Sequence, residues 1–228
     1  MARPSARQLL REYVLLVVEA AASGQDAVQH GLALMKTQAY EGRALVLYDP
    51  KKLAEASEHE EGFDAGVQYL AGEGLIVGYV RYVQHNSDCL KAAEIQSSAA
   101  QKGFGPLMYD ICMSLSPGGI ISDRVKTSDA AQGVWKGYDD GRRPDVISRN
   151  LDDEKNPKTP PKIDDCELVG NAVLDKAYKG AHVDTGALEK KHRDTLQALA
   201  RRGHKPAEVE KLLRTAAQNY FEVRNWKG

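Results

Sequence analysis

The stretch Gln101-Lys102-Gly103-Phe104-Gly105-Pro106 constrains this chain more than any other. It sets two glycines and a helix-starting proline between a β-rich run and an apolar helical run. Upstream, residues 90–97 alternate as a half-buried strand requires, with Ala92, Glu94 and Gln96 facing one way and Ala93, Ile95 and Ser97 the other. Downstream, Leu107, Ile111 and Leu115 recur every four residues beside Met108 and Cys112, which predicts a buried helix over residues 106–115. The first amides of a helix have no intrahelical acceptor, and with the helix dipole they suit a diphosphate. Gly103 and Gly105 permit close approach of the chain, and Pro106 pre-sets the first turn. The amides of Leu107 and Met108 are expected to remain free. The plainer alternative is a glycine turn needed only for tight strand-to-helix packing.

Around this junction the chain alternates helical and β-rich signals. An amphipathic helix is expected over residues 5–22, and a second over residues 26–36 with Val28, Leu32 and Met35 at helical spacing. Residues 43–48 predict a strand closed by Asp49-Pro50, with a helix start for residues 51–57 and an exposed acidic segment at Glu58, Glu60 and Glu61. Residues 74–83 give the strongest strand signal, and Asn86, Ser87 and Asp88 form a turn that makes antiparallel pairing with the next strand natural. Pro117-Gly118-Gly119 stops the buried helix and Ile120-Ile121 opens a short strand. Ser128 or Asp129 then caps a helix carrying Ala131, Val134, Trp135 and Tyr138.

Residues 139–165, with Pro144, Pro157, Pro160 and Pro161, are expected as a long charged surface loop or flap, and residues 166–178 as a last strand with a short helix. Residues 184–225 read as two helices, with a stop at Gly203 and a start at Pro206. The expected fold class is α/β (α+β): a mixed, mainly antiparallel sheet flanked by helices over residues 1–180, with an appended C-terminal helical hairpin over residues 181–228.

Composition excludes several classes. With 31 Lys and Arg against 32 Asp and Glu, the net charge of -1 provides no global field for nucleic acid, so such a partner would need a local patch. Lys190, Lys191, Arg193, Arg201, Arg202, His204 and Lys205 supply one in the C-terminal hairpin, where a solvated helical face is the simpler reading. Cys89, Cys112 and Cys166 are odd in number and unrelated in spacing. They fit a reduced, cytoplasmic setting, with Cys112 a small core residue. The six histidines form no ligand-spaced pair, so no metal is expected. The apolar run over residues 13–18 is far too short to span a membrane and shares a helical pattern with Arg11 and Glu12, which is unlike a signal peptide.

The stretch Ala93-Glu94-Ile95-Gln96-Ser97-Ser98, followed by Gln101-Lys102-Gly103-Phe104-Gly105-Pro106-Leu107-Met108, resembles the strand, Gln/Arg-x-x-Gly-x-Gly/Ala loop and helix of the GNAT superfamily of N-acetyltransferases. Ile120-Ile121-Ser122-Asp123-Arg124 is similar to that family's next strand, and Ser128-x-x-Ala131-x-x-x-Trp135 to its Asn-x-x-Ala-x-x-x-Tyr helix. Gly105-Pro106-Leu107-Met108-Tyr109-Asp110-Ile111 also resembles acetyltransferase-like proteins encoded by tailed bacteriophages. The likeness covers residues 74–140. Two departures stand out: the family's Gln/Arg falls at Ala100, one residue before Gln101, and Trp135 stands where many relatives carry an acidic tyrosine.

The resemblance implies acetyl-CoA, or another acyl-CoA, as cofactor. Ile95, Gln96 and Ser97 would align its pantetheine arm, and Gln101, Lys102, Gly103, Phe104, Gly105, Leu107 and Met108 would form the pyrophosphate site. It implies direct acyl transfer to an amine on a small molecule or a protein, in the host cytoplasm for a phage-encoded chain. Glu94 is the acidic residue placed to take the ammonium proton, or else pairs with Arg81 on the neighbouring strand. Since an indole is no acid near neutral pH, the acid role passes from Trp135 to Tyr138, to water, or to nothing. His85 is expected at an exposed turn, and Asp123 and Arg124 in a structural ion pair or cap. A non-catalytic phage accessory protein keeping the same fold, and a nucleic-acid-directed modifier, are the other functions compatible with these residues.

Overall fold

The computed structural model describes residues 24–39, 41–85, 92–123, 127–151 and 170–225. The expected helix over residues 5–22, the turn at Asn86, Ser87 and Asp88, Cys89, Arg124, Cys166 and residues 152–165 of the expected loop lie outside the described residues.

In chain order the elements are α1 (Gly24–Gln29), β1 (Ala33–Gln38), β2 (Arg43–Tyr48), α2 (Pro50–Glu55), α3 (Phe63–Leu70), β3 (Ile76–Gln84), β4 (Ala93–Ala100), α4 (Gly105–Leu115), β5 (Ile120–Ile121), α5 (Asp129–Asp139), β6 (Ile147–Asn150), β7 (Lys176–Lys179), α6 (Thr185–Arg201) and α7 (Pro206–Asn225). The strands form one seven-stranded sheet in the order β1-β2-β3-β4-β5-β7-β6. Every junction is antiparallel except β4 with β5, which is parallel. The chain is therefore a mixed α/β protein with a mainly antiparallel sheet and a C-terminal helical hairpin.

Local chemistry sets the element ends. Asp49 caps α2 by accepting a hydrogen bond from the Lys51 amide at 2.8 Å, Ser128 caps α5 through the Ala131 amide at 3.3 Å, and Asp184 caps α6 through the Ala187 amide at 2.9 Å. The helix expected over residues 26–36 is corrected. It stops at Gln29, where Gly31 turns the chain at φ +69, and the following residues pair with β2. Leu34 and Met35 then enter cores on opposite faces of the sheet, the period-two pattern of a strand. The loop expected over residues 139–165 also contains a strand. β6 is exposed at every position and held by its pairing with β7.

Two helical layers enclose the sheet. On one face Leu107, Met108, Ile111 and Cys112 of α4, with Trp135 and Tyr138 of α5, pack on Leu45, Leu47, Val80 and Ile95. On the other, α2, α3 and α7 pack Leu53, Val67, Leu213, Ala216 and Ala217 against Val46, Ile76 and Tyr79. Helix α6 lies along the edge strand β1 and reaches both cores, with Leu188 in the first and Leu199 in the second. A covered edge offers no open ladder to another chain. The hairpin is further tied to the sheet by a buried hydrogen bond of 2.8 Å between Tyr48 Oη and His192 Nδ1, while His192 Nε2 lies 3.1 Å from Glu210 Oε1.

Candidate functional site

β4 is eight residues long, but its parallel partner β5 is only two. The β4–β5 register runs Ala93 to Ile120 and Glu94 to Ile121, and there it ends. Beyond Glu94, β4 keeps its antiparallel partner β3 on one side, while its other side has no strand neighbour among the described residues. The register against β3 shifts at the same place. Tyr82 lies opposite Ile95 and Arg81 opposite Ser97, so Gln96 is an extra residue, a bulge that increases local twist and helps the two parallel strands diverge.

The divergence opens a groove of about 1000 Å³. Its floor is residues 95–100 of β4, its far end is Gln101, Gly103, Gly105 and Pro106, and its walls are Met108 and Tyr109 of α4 and the first half of α5 with Val134 and Trp135. Tyr109 Oη and Ser98 Oγ lie 2.9 Å apart, tying wall to floor, and burial pushes the Tyr109 hydroxyl up to about 12. Tyr109 meets Trp135 edge to face at 4.9 Å, fixing the wall.

At the loop, Gly103 adopts φ +89, a conformation that favours glycine. A Cβ built on Gly105 would meet nothing within 4 Å, so the space above this residue is open. Among the described residues the amides of Lys102, Gly103, Gly105 and Leu107 have no protein acceptor. The Met108 amide, by contrast, donates to the Phe104 carbonyl at 3.2 Å. The expectation of a free amide there is corrected, because Phe104 already acts as the helix cap residue. Met108 contributes its side chain instead, lying so close to Gly78 of β3 that a Cβ there would sit 2.4 Å from Sδ. The Gln101 side chain is turned away from any phosphate role, since Nε2 donates to the Ile76 carbonyl at 2.9 Å while its amide donates to Val77. Lys102 is exposed, Phe104 packs on the core, and Leu107 is buried with only its amide available.

Glu94 occupies the last paired position before the strands part. Its Oε2 lies 2.6 Å from His85 Nε2, with the two side chains 13% and 31% exposed respectively. Glu94 thus pairs with His85, the histidine expected at an exposed turn. Tyr138 is placed elsewhere. Its single hydroxyl proton is shared between Asp110 Oδ1 at 2.9 Å and the Pro106 carbonyl at 3.1 Å, beneath α4, and Tyr138 is not among the groove-lining residues. Burial and the Asp110 carboxylate hold that hydroxyl well above its ordinary range. Asp110 is fully buried, and desolvation pushes its carboxyl up to about 6 although Arg143 Nη1 lies 2.5 Å away and acts in the opposite direction. Cys112 is likewise buried and its thiol pushed up by desolvation.

Sequence reasoning missed Ser98 and Tyr109 as a facing pair, although Tyr109 stands one helical turn after Gly105. It also missed that the α5 entrance at Ser128, Ala130 and Ala131 closes the groove. Within the basic turn, Lys190 pairs with Asp194 at 2.7 Å, Lys205 with Glu208 at 2.8 Å, and His204 stacks on Phe63 at 4.2 Å. Among the described residues no His, Cys, Asp and Glu cluster can hold a metal ion, and no helix is long and apolar enough to cross a membrane. No family model, curated protein or solved structure matches the chain.

Proposed function

We propose that this chain is an acyl-CoA-dependent N-acyltransferase of the GNAT type, acting on an amine by direct attack. One observation carries the proposal: among the described residues the sole parallel junction of the sheet ends at Glu94, and the side of β4 left unpaired there continues as a groove to the unsatisfied amides of the glycine loop. Residues 95–100 span five steps of about 3.4 Å, about 17 Å of strand, which matches the extended length of a pantetheine arm. That arm carries two amides, and an open strand edge can pair with them as it would with another strand. The amides of Gly103, Gly105 and Leu107 would meet the diphosphate, with Gly105 leaving room for it.

When bound, an acyl-CoA supplies the thioester carbonyl that the amine attacks, a C–N bond forming as the C–S bond breaks. Glu94, at the mouth of the divergence, accepts the proton that the ammonium must lose, and His85 at 2.6 Å holds its carboxylate in place. Tyr109, Ser98 and Trp135 shape the wall against which the arm lies and exclude water from it. With Tyr138 committed to Asp110, water is the proton donor to the departing thiolate. Acyl-CoA is an intracellular metabolite, which agrees with a cytoplasmic setting.

The test is calorimetric titration of acetyl-CoA into the wild-type chain and Gly105→Glu. The new side chain meets no protein atom at its Cβ, so the variant should melt as wild type does while affinity falls about 100-fold. Equal affinity in the folded variant refutes the site.

A further inference from the structure

We propose that the amine acceptor carries an anionic group, of carboxylate type, and that Arg81 reads it on the sheet face opposite α4. This rests on the acyltransferase function for the transfer step, but not for the binding of the anion.

Directly opposed residues of an antiparallel pair share a face, and Arg81 lies opposite Ser97 while Val83 lies opposite Glu94. Arg81 and Val83 are two apart on β3, so Arg81, Ser97 and Glu94 project from one face. Tyr79, two residues before Arg81, packs in the core under α7, which identifies this as the α7 face. Glu94, the proton acceptor, and Arg81 therefore stand one strand repeat apart, about 7 Å along the sheet.

Arg81 is partly buried, and its Nε is shielded from solvent without a hydrogen-bond acceptor; it makes no ion pair with a described residue. One residue before Ser97, the bulge residue Gln96 has its Oε1 buried without a donor. Unsatisfied buried polar atoms cost free energy, and native structures leave few of them. One needs an acceptor and the other a donor. A guanidinium edge is matched by a carboxylate, and the Gln96 carbonyl by an N–H of the same molecule. Gln96 and Ser97 line the groove while Arg81 and Glu94 do not, so a ligand would reach Arg81 past Ser97, its cross-strand partner. An amine placed at Glu94 with its anion at Arg81 describes an amino acid or a peptide terminus rather than a simple polyamine.

Two measurements on the full chain separate this inference from the function beneath it. The first is saturation-transfer NMR with a panel of N-acetyl amino acids and the matching N-acetyl amino-acid amides, which needs no coenzyme. The acids should give signal and the amides none. Arg81→Met should lose the acid signal at an unchanged melting temperature, and Arg81→Lys, which retains charge but not the Nε donor, should bind about tenfold more weakly. Equal response to acids and amides, response to neither, or an unchanged Arg81→Met overturns the inference, whatever acetyl-CoA does. The second is thiol release from acetyl-CoA with amino acids against their amides. The acids should turn over at least about tenfold faster, and Arg81→Met should bring the ratio close to one. Acid binding without any acetyl-CoA binding would refute the acyltransferase and leave the anion site standing.

Discussion

The two ends of the sheet solve different problems. From β1 to β3 each strand is paired along most of its length, both faces are covered, and α6 guards the edge. From β4 to β5 only two residue pairs form before the strands part, and the space between them is lined by backbone, serines and a buried aromatic wall. The first region is closed, and the second holds the groove in which the proposed acyl-CoA would lie. The contrast shows that an incompletely paired strand is affordable when the neighbouring half of the sheet is closed.

Four measurements put this contrast to the test. In the closed region, Leu47→Ala should cost about 2–5 kcal/mol of stability and leave acetyl-CoA affinity unchanged; a parallel loss of affinity would mean that the two regions are not separable. Beneath the groove, Asp110 gives a pH signature. Its folded pKa of about 6 lies above the ordinary 3.8, so between these values the native state holds a proton that the unfolded chain has released. This group therefore adds stability as pH falls through 6 and levels off below about 4, by up to about 3 kcal/mol. Asp110→Asn should flatten that part of the melting-temperature profile, and an unchanged profile would remove Asp110 from it.

At the mouth, Glu94→Gln should slow turnover about 100-fold with acetyl-CoA affinity within about twofold, and a wild-type rate independent of pH would dismiss Glu94 as the base. At the boundary between the regions, Gly78→Ala should cost about 1–3 kcal/mol because its Cβ would collide with Met108, and any compensating shift of Met108 should alter acetyl-CoA affinity measurably.

Much of the closed region was legible because its signals are local. Residues 44–48 are a continuous apolar run, Asp49 announces its own cap, and Gly203 with Pro206 marks the turn between α6 and α7. β1 was misread because Val28, Leu32 and Met35 satisfy a helical period, whereas the deciding influence is the ladder with β2 across the turn. α3 was missed since Phe63, Val67 and Leu70 offer only two turns of pattern. In the candidate site, the glycine loop and the Ile120-Ile121 strand were readable from residue type. The His85–Glu94 contact and the bulge at Gln96 depend on which residues of β3 and β4 face each other, and the alternation of residues 92–97 gave no hint of a skipped position.

That skipped position makes the site a matter of counting. Side chains along a strand swap sides with every residue, so the surplus residue in β4 lets Glu94 and Ser97 look the same way although three positions separate them. Excising Gln96 would leave the two residues two apart on a regular strand and still on one side, and would take away the bulge and its added twist. The parting of β4 from β5 thus depends on the length of this strand more than on its letters.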